Sequence, residues 1–342
     1  MRVCIVPEYP MSLMTGGLQV QAEETCRALN ALGEGVSAEL FSWSEKRPLP
    51  DLYHFVSLPP YLVRLTELVR CAGRPYVLTL LFGGVRGTVR LRRAATRRWI
   101  RAHLLRQPGR SDAVQGAAAV VTITQADAVA AEVIFGVSPG RIHLVPNGVD
   151  ERFFRGSPEV WHRAHGDAPF VLCVGAIQKR KGQLALAEAC NQRRLPLVLL
   201  GPVLPDEAAY GQAVEAAMSV NSRHGGLWLQ NLRNEDDLLV SAHAACRLFA
   251  LWSARETQPL SVMQAMAARK PVLLFRAPYT RDALFSGLAF TETLEPDRAA
   301  EALQRLWDAP QPTKLDSRFT WPEVARQLRT IYLTACGTKP HA

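Results

Sequence analysis

No C-x-x-C pair and no grouping of cysteine with histidine occurs in this sequence. Its seven cysteines, Cys4, Cys26, Cys71, Cys173, Cys190, Cys246 and Cys336, are scattered, most of them inside apolar runs such as Val171-Leu-Cys-Val174. That distribution argues against a disulfide framework or a structural zinc site, and for a reduced, cytoplasmic chain. Apolar runs are short as well. A membrane span needs roughly 18 apolar residues, and the stretch from Leu195 to Leu204 is shorter and broken by proline and glycine. Pro7 ends the run Val3-Cys-Ile-Val6 too early for a signal peptide. Asp-x-Asp, a metal-binding pattern, is missing, as is the Gly-x-Gly-x-x-Gly of dinucleotide sites. No internal repeat or low-complexity tract is present. One absence is local: nine arginines lie between Arg86 and Arg110 with no acidic residue among them. The formal charge of +9 is therefore concentrated rather than spread.

What is present indicates a soluble globular protein, with 48% hydrophobic and 21% charged residues. A chain of 342 residues is long enough for two domains, each with its own core. Short β-rich apolar runs alternate with segments of helical period, which predicts parallel sheets with crossover helices. The first half has strand-like runs at Arg2–Val6, Ser37–Phe41, Leu52–Val56, Tyr76–Leu80, Ala119–Thr124 and Arg141–Val145. A helix is expected over Gln19–Leu32, closed by Gly33. The second half restarts with Phe170–Val174, Leu197–Leu200, Leu227–Leu229, Arg247–Leu251 and Val272–Phe275. Asp150–Pro169 has no clean period and is expected to be the linker. Two doubly wound domains predict a ligand cleft at strand C-termini. A terminal helix with Pro322 in its first turn is expected from Phe319 to Tyr332.

Four stretches carry chemistry. Gly16-Gly17 follows the first strand and opens the first helix, where N–H groups and the helix dipole favour an anion, although an ordinary turn gives the same residues. Lys179-Arg-Lys181 follows a buried strand and Gly175, a placement suited to a charged diphosphate and equally that of a solvated basic turn. Gly225-Gly-Leu-Trp-Leu-Gln-Asn-Leu232 is a strand followed by an acidic turn, and Leu232 itself reads as readily as core. Glu256 is followed after seven residues by Gln264, which is expected to open a small-residue helix leading to Val272–Phe275.

That last spacing resembles the Glu-x7-Glu signature of family 4 glycosyltransferases, and the resemblance extends over nearly the whole chain. Val121-Thr-Ile-Thr-Gln-Ala-Asp127 and Arg141-Ile-His-Leu-Val-Pro-Asn-Gly-Val-Asp150 resemble the end of that family's N-terminal domain, although Asn147-Gly148 reads better as a turn than as a ligand contact. The resemblance implies an α/β, GT-B fold of two doubly wound Rossmann-like domains facing a central cleft. Residues 1–155 correspond to the acceptor-side domain and 156–321 to the donor domain, with a helix at about 322–337 packing back on the first. It implies a retaining, metal-independent hexosyltransferase that uses a nucleotide-sugar as co-substrate and no cofactor. Lys181 matches the diphosphate-binding lysine, with Arg180 as a helper, and Glu256 would hold donor-sugar hydroxyls. Gln264 would hold the ribose, and Gly16, Gly17, Gln258, Leu260 and Leu232 complete the donor site.

Four departures fall on that site. Leu81-Phe-Gly-Gly84 has no histidine where the family often has one, and Ala176 replaces an arginine that frequently follows the glycine. Pro259 removes a backbone donor, and Gln264 replaces a carboxylate by a neutral amide. Each lost contact costs on the order of 1–3 kcal/mol where it is needed. These departures also suit a degraded GT-B protein that binds a sugar nucleotide or a partner transferase. A GT-B epimerase matches the basic loop less well. Arg86, Arg90, Arg93, Arg97 and Arg101 share one helical face opposite Leu91, Ala95, Ala102 and Leu105. That pattern suits an anionic membrane surface at the inner face, and equally a solvated helix resting on its own domain. Aromatic interleaving is sparse there, so no nucleic-acid partner is expected. The acceptor class implied is a lipid-linked or envelope glycan.

Overall fold

A computed structural model describes residues 1–10, 16–44, 47–82, 109–233 and 235–337. Two compact units are present, Met1–Gly148 with Arg318–Ala342, and Val149–Ser317. Each is built on one six-stranded parallel sheet, so the α/β, doubly wound expectation holds in both.

The first unit orders its strands β2-β1-β3-β4-β5-β6, namely Ser37–Leu40, Arg2–Val6, Leu52–Val56, Tyr76–Leu80, Ala119–Thr122 and Ile142–Leu144. Strands β3, β4 and β5 are buried along their whole length, which is why their sequences are continuous apolar runs rather than alternating ones. The crossover helices are α1 (Gly17–Leu32), α2 (Pro60–Cys71), α3 (Arg110–Gly116) and α4 (Gln125–Phe135). Helix α1 ends at Gly33 in the left-handed conformation, φ 64°, as glycine at a C-cap permits. The terminal helix α11 (Trp321–Ala335) belongs to this unit and packs against α1. It buries Trp321, Val324, Leu328, Ile331 and Tyr332. Close approach at its start requires Gly148: a Cβ there would lie 2.5 Å from the Trp321 ring. Farther along, the Tyr332 hydroxyl meets His54 Nδ1 at 2.6 Å, and His54 Nε2 meets Thr79 Oγ1 at 2.7 Å. The turn expected at Asn147-Gly148 is not formed, and what requires glycine at 148 is this packing.

The second unit orders its strands β12-β11-β10-β7-β8-β9. Those expected from sequence are present as β7 (Val171–Val174), β8 (Leu197–Leu200), β9 (Leu227–Leu229), β10 (Leu248–Leu251) and β11 (Val272–Phe275). Strand β12 (Ala289–Thr291) was not foreseen, being three residues of edge strand with too little sequence to show a period. The helices are α5 (Glu159–His165), α6 (Gln183–Arg193), α7 (Ala208–Asn221), α8 (Asp237–Ala245), α9 (Leu260–Ala267) and α10 (Pro296–Asp308). From β7 the strand order runs outward through β8 and β9, then restarts at β10 on the other side. The order therefore reverses between β7 and β10, the position where open α/β sheets bind ligands beyond their carboxyl ends.

The linker expected over 150–169 is corrected. Asp150 caps a turn at Glu151–Phe154, and α5 follows. Phe153 and Trp161 are buried, Phe153 edge-on to His243 and Trp161 against Phe170. Elements of four and seven residues are too short to display a helical period. The basic segment carrying Arg86, Arg90, Arg93, Arg97 and Arg101 lies outside the described residues. Among the described residues no helix is long and apolar enough to cross a membrane.

Each unit holds one fully buried histidine, His54 and His243, which burial pushes down to about 3 and about 4. Unfolded histidine titrates near 6.5, so the unfolded chain binds more protons between that value and the folded ones. Stability is complete above about pH 6.5 and is lost as pH falls toward 4, by up to about 1.4 kcal/mol per pH unit per histidine. Calorimetric melting at pH 7.5, 6 and 5 checks this. A transition temperature that does not fall between pH 7.5 and 5 contradicts it.

Candidate functional site

The two loops at the strand reversal of the second unit hold most of the residues singled out in the sequence. Strand β7 ends at Gly175, with φ 146°, a conformation L side chains rarely adopt. A Cβ there would stand 2.8 Å from Lys181 Nζ, so the missing side chain is where the lysine lies. Beyond it the chain makes one tight turn, Lys179–Lys181, and leaves through Gly182 at φ 69°. Gly182 also requires its identity: a Cβ would sit 2.6 Å from the Trp252 carbonyl oxygen, at the end of β10. The buried Gln183 side chain fixes the loop from beneath by donating from Nε2 to the Ala176 carbonyl at 3.0 Å.

The loop after β10 is tied to this turn. Ala254 N donates to the Arg180 carbonyl at 2.8 Å. Arg180 reaches back, donating from Nη1 to the Arg255 carbonyl at 2.7 Å and to Glu256 Oε1 at 2.9 Å. Its Nε is held by Gln178 Oε1 at 2.7 Å, which fixes the plane of the guanidinium. Lys181 Nζ lies 3.4 Å from the same Glu256 Oε1. Ser253, fully buried, donates its hydroxyl to that oxygen at 2.9 Å; the Arg180 and Arg255 carbonyls at 3.3 and 3.2 Å are poorer acceptors for its single proton. Arg180 and Ser253 thus donate to Oε1 with Lys181 at ion-pair distance from it, and no hydrogen bond to Oε2 is formed among the described residues.

The Glu256 and Lys181 side chains are each 13% exposed and Arg180 35%. Burial raises the Glu256 carboxyl, but the Lys181 and Arg180 charges and the hydrogen bonds outweigh it and hold the group below the usual carboxylate range. Glu256 is thus ionised at neutral pH, with two basic side chains beside its one carboxylate.

Not every expected residue joins it. Gln264 does not open a helix: α9 begins at Leu260, and Gln264 sits buried in its second turn. Pro259 occupies the N-cap with φ −67°, which proline imposes and a helix entry accepts. No side chain caps this end. Gln258 is buried before it and Leu260 half-buried at its first position. Leu232 lies in the loop after β9, two strands removed from β7. Gly16 and Gly17 belong to the other unit, where Gly16 (φ 117°) precedes α1 and Gly17 is its first residue. Ser253 was missed by sequence reasoning; its only signal was its place three residues before Glu256. Among the described residues no group of three or more His, Cys, Asp or Glu is placed to hold a metal ion.

Residues 160–320 match the family model described as glycosyl transferases group 1. A glycosyltransferase from Rickettsia africae ESF-5 superposes with a TM-score of 0.68 at 13% identity, covering 98% of each chain. The UDP-forming α,α-trehalose-phosphate synthase of Burkholderia xenovorans, solved with glucose-6-phosphate, gives 0.66 at 13% identity over 98% of this chain and 97% of its own. Anabaena Alr3699/HepE, solved with UDP-glucose, gives 0.63 at 17% identity over 98% of each. Comparison with curated protein sequences gives no match. At such identities the likeness establishes the fold, which is GT-B.

Proposed function

We propose that this chain, in which residues 160–320 form a domain of the glycosyl transferases group 1 family, moves a hexosyl group from a nucleotide-sugar to a glycan or lipid-linked acceptor. The observation that carries this reading is the Lys181–Arg180–Glu256 cluster at the strand reversal. In the transfer, the bond from the anomeric carbon to the diphosphate breaks and negative charge grows on the departing oxygens. Lys181 and Arg180 stabilise that charge in a largely desolvated place, where such stabilisation counts most. The uncapped N-terminus of α9 adds backbone N–H groups. Glu256 holds sugar hydroxyls through Oε2, and Gln264, Gln258 and Leu260 face the nucleoside, with Leu232 beside the base. The anomeric configuration is retained, the leaving phosphate takes the acceptor proton on the same face, and no metal or cofactor takes part.

A second reading, a binding protein without turnover, is favoured by Pro259 and Gln264. Calorimetry with UDP-, GDP- and ADP-sugars, paired with transfer and hydrolysis assays, separates the two. The transferase reading expects one donor to bind and turn over, with Lys181→Ala weakening binding at least about tenfold, the scale of a charge-assisted contact. Binding without turnover, unrescued by Gln264→Glu, supports the second reading. No binding by any member of the panel contradicts both.

The acceptor class follows from the basic stretch at Arg86, Arg90, Arg93, Arg97 and Arg101, whose sequence suits peripheral attachment to the anionic inner membrane face of a cytoplasmic protein. Sedimentation with anionic liposomes at low salt should pellet the protein, and salt should release it. Protein that stays in the supernatant at low salt overturns the membrane part alone.

A further inference from the structure

Tyr279 lies in the turn Pro278–Arg281 that follows β11, the strand paired with β10. Its ring is 4% exposed and stands edge-on to Phe285 at 6.0 Å. The turn is fixed by Thr280, whose hydroxyl donates to the Ala277 carbonyl at 2.9 Å, so the ring is not free to leave. Yet the Tyr279 hydroxyl is buried without any hydrogen-bond partner. A buried unpaired hydroxyl is destabilising relative to a paired one, and phenylalanine fills the same space without that penalty. The Glu256 loop leaves β10 at the same end at which the Tyr279 turn leaves its parallel neighbour β11, and burial together with the Glu256 charge raises the phenol above its usual range.

The two groups are complementary. Glu256 Oε2 accepts no hydrogen bond among the described residues, and the Tyr279 O–H donates none. What keeps Glu256 in its present place is the pair of cations on Oε1. A diphosphate bound to Lys181 and Arg180 takes those partners and sets a second negative charge beside the carboxylate. Glu256 then needs another donor or a proton.

We infer that Tyr279 is a positioning residue, whose hydroxyl takes up the Glu256 carboxylate when an anionic diphosphate occupies Lys181 and Arg180. It rests on the reading of those two residues as a diphosphate site. The orphaned hydroxyl of the free protein is the donor held for the bound one, and the carboxylate stays ionised and aimed while its cations are engaged elsewhere.

Calorimetric titration with inorganic pyrophosphate and with UDP tests this in a double-mutant cycle. Tyr279→Phe should weaken both ligands about tenfold in the wild-type background and less than twofold in a Glu256→Ala background. The free-state melting temperature of Tyr279→Phe should equal or exceed that of wild type, because an unpaired hydroxyl has been removed. A merely structural tyrosine changes the melting temperature and not the coupling. Affinity unchanged within twofold, or equal loss in both backgrounds, overturns the inference and leaves the diphosphate site standing. Failure of the wild-type protein to bind either ligand, or Lys181→Ala binding as well as wild type, overturns the diphosphate reading and the inference with it.

Discussion

The second unit depends on one carboxylate. Glu256 joins the loop after β7 to the loop after β10, and without it Lys181 is a nearly buried cation with no counter-charge. Removing one member of a buried ion pair costs about 3–5 kcal/mol, somewhat less here because Arg180 is partly exposed. The glycines around the pair follow from it. Gly175 makes room for the Lys181 ammonium, and Gly182 lets the turn close against the Trp252 carbonyl. At Gly201, the end of β8, a Cβ would strike the Gly175 carbonyl oxygen at 2.5 Å. Three strand or turn ends are brought within contact so that two cations can be held out of water beside a single anion. On the proposed reading, the carboxylate of the free protein plays the part that a phosphate takes when ligand arrives.

The departures around this cluster weaken the site without removing it. Proline at the N-cap of α9 gives up one N–H, and Gln264 offers one acceptor oxygen and no charge where a carboxylate offers two. A micromolar ligand is bound by about 8 kcal/mol. Losing two contacts of about 2 kcal/mol each leaves binding near the millimolar range, so a working donor site survives if the diphosphate contacts are intact. The residues on which the proposed diphosphate contacts rest, Lys181, Arg180 and Glu256, are brought together in the structure. Of the altered positions, Ala176 and Pro259 fall on the diphosphate side of the proposed site and Gln264 on its nucleoside side.

Sequence patterning revealed the fold to the extent that its elements were long. Buried strands such as Leu197–Leu200 and Leu248–Leu251 read as unbroken apolar runs because both faces are covered. Strand β12 and the helical turns of 150–169 were invisible for the opposite reason, since three to seven residues show no period. At the site, Glu256 was legible from its seven-residue spacing to Gln264 and Lys181 from the basic loop after Gly175, both through resemblance to a family pattern. Their pairing was not, because 75 residues separate them and only the strand order, which reverses between β7 and β10, brings them together. Gln264 was given the wrong place in its helix because the sequence signal of Pro259, a helix entry, was read only as a lost donor. Tyr279 carries no local signal and Ser253 only its place three residues before Glu256; a buried hydroxyl is recognisable only once its surroundings are known.

The central claim is that the cations now paired with Glu256 are the ones that receive a nucleotide diphosphate. A crystal structure of the protein with UDP tests it most directly. The account predicts phosphate oxygens at ion-pair distance from Lys181 Nζ and the Arg180 guanidinium, with the Glu256 carboxylate turned away from both. A nucleotide bound elsewhere, with the Lys181–Glu256 contact still at its present 3.4 Å, would contradict it.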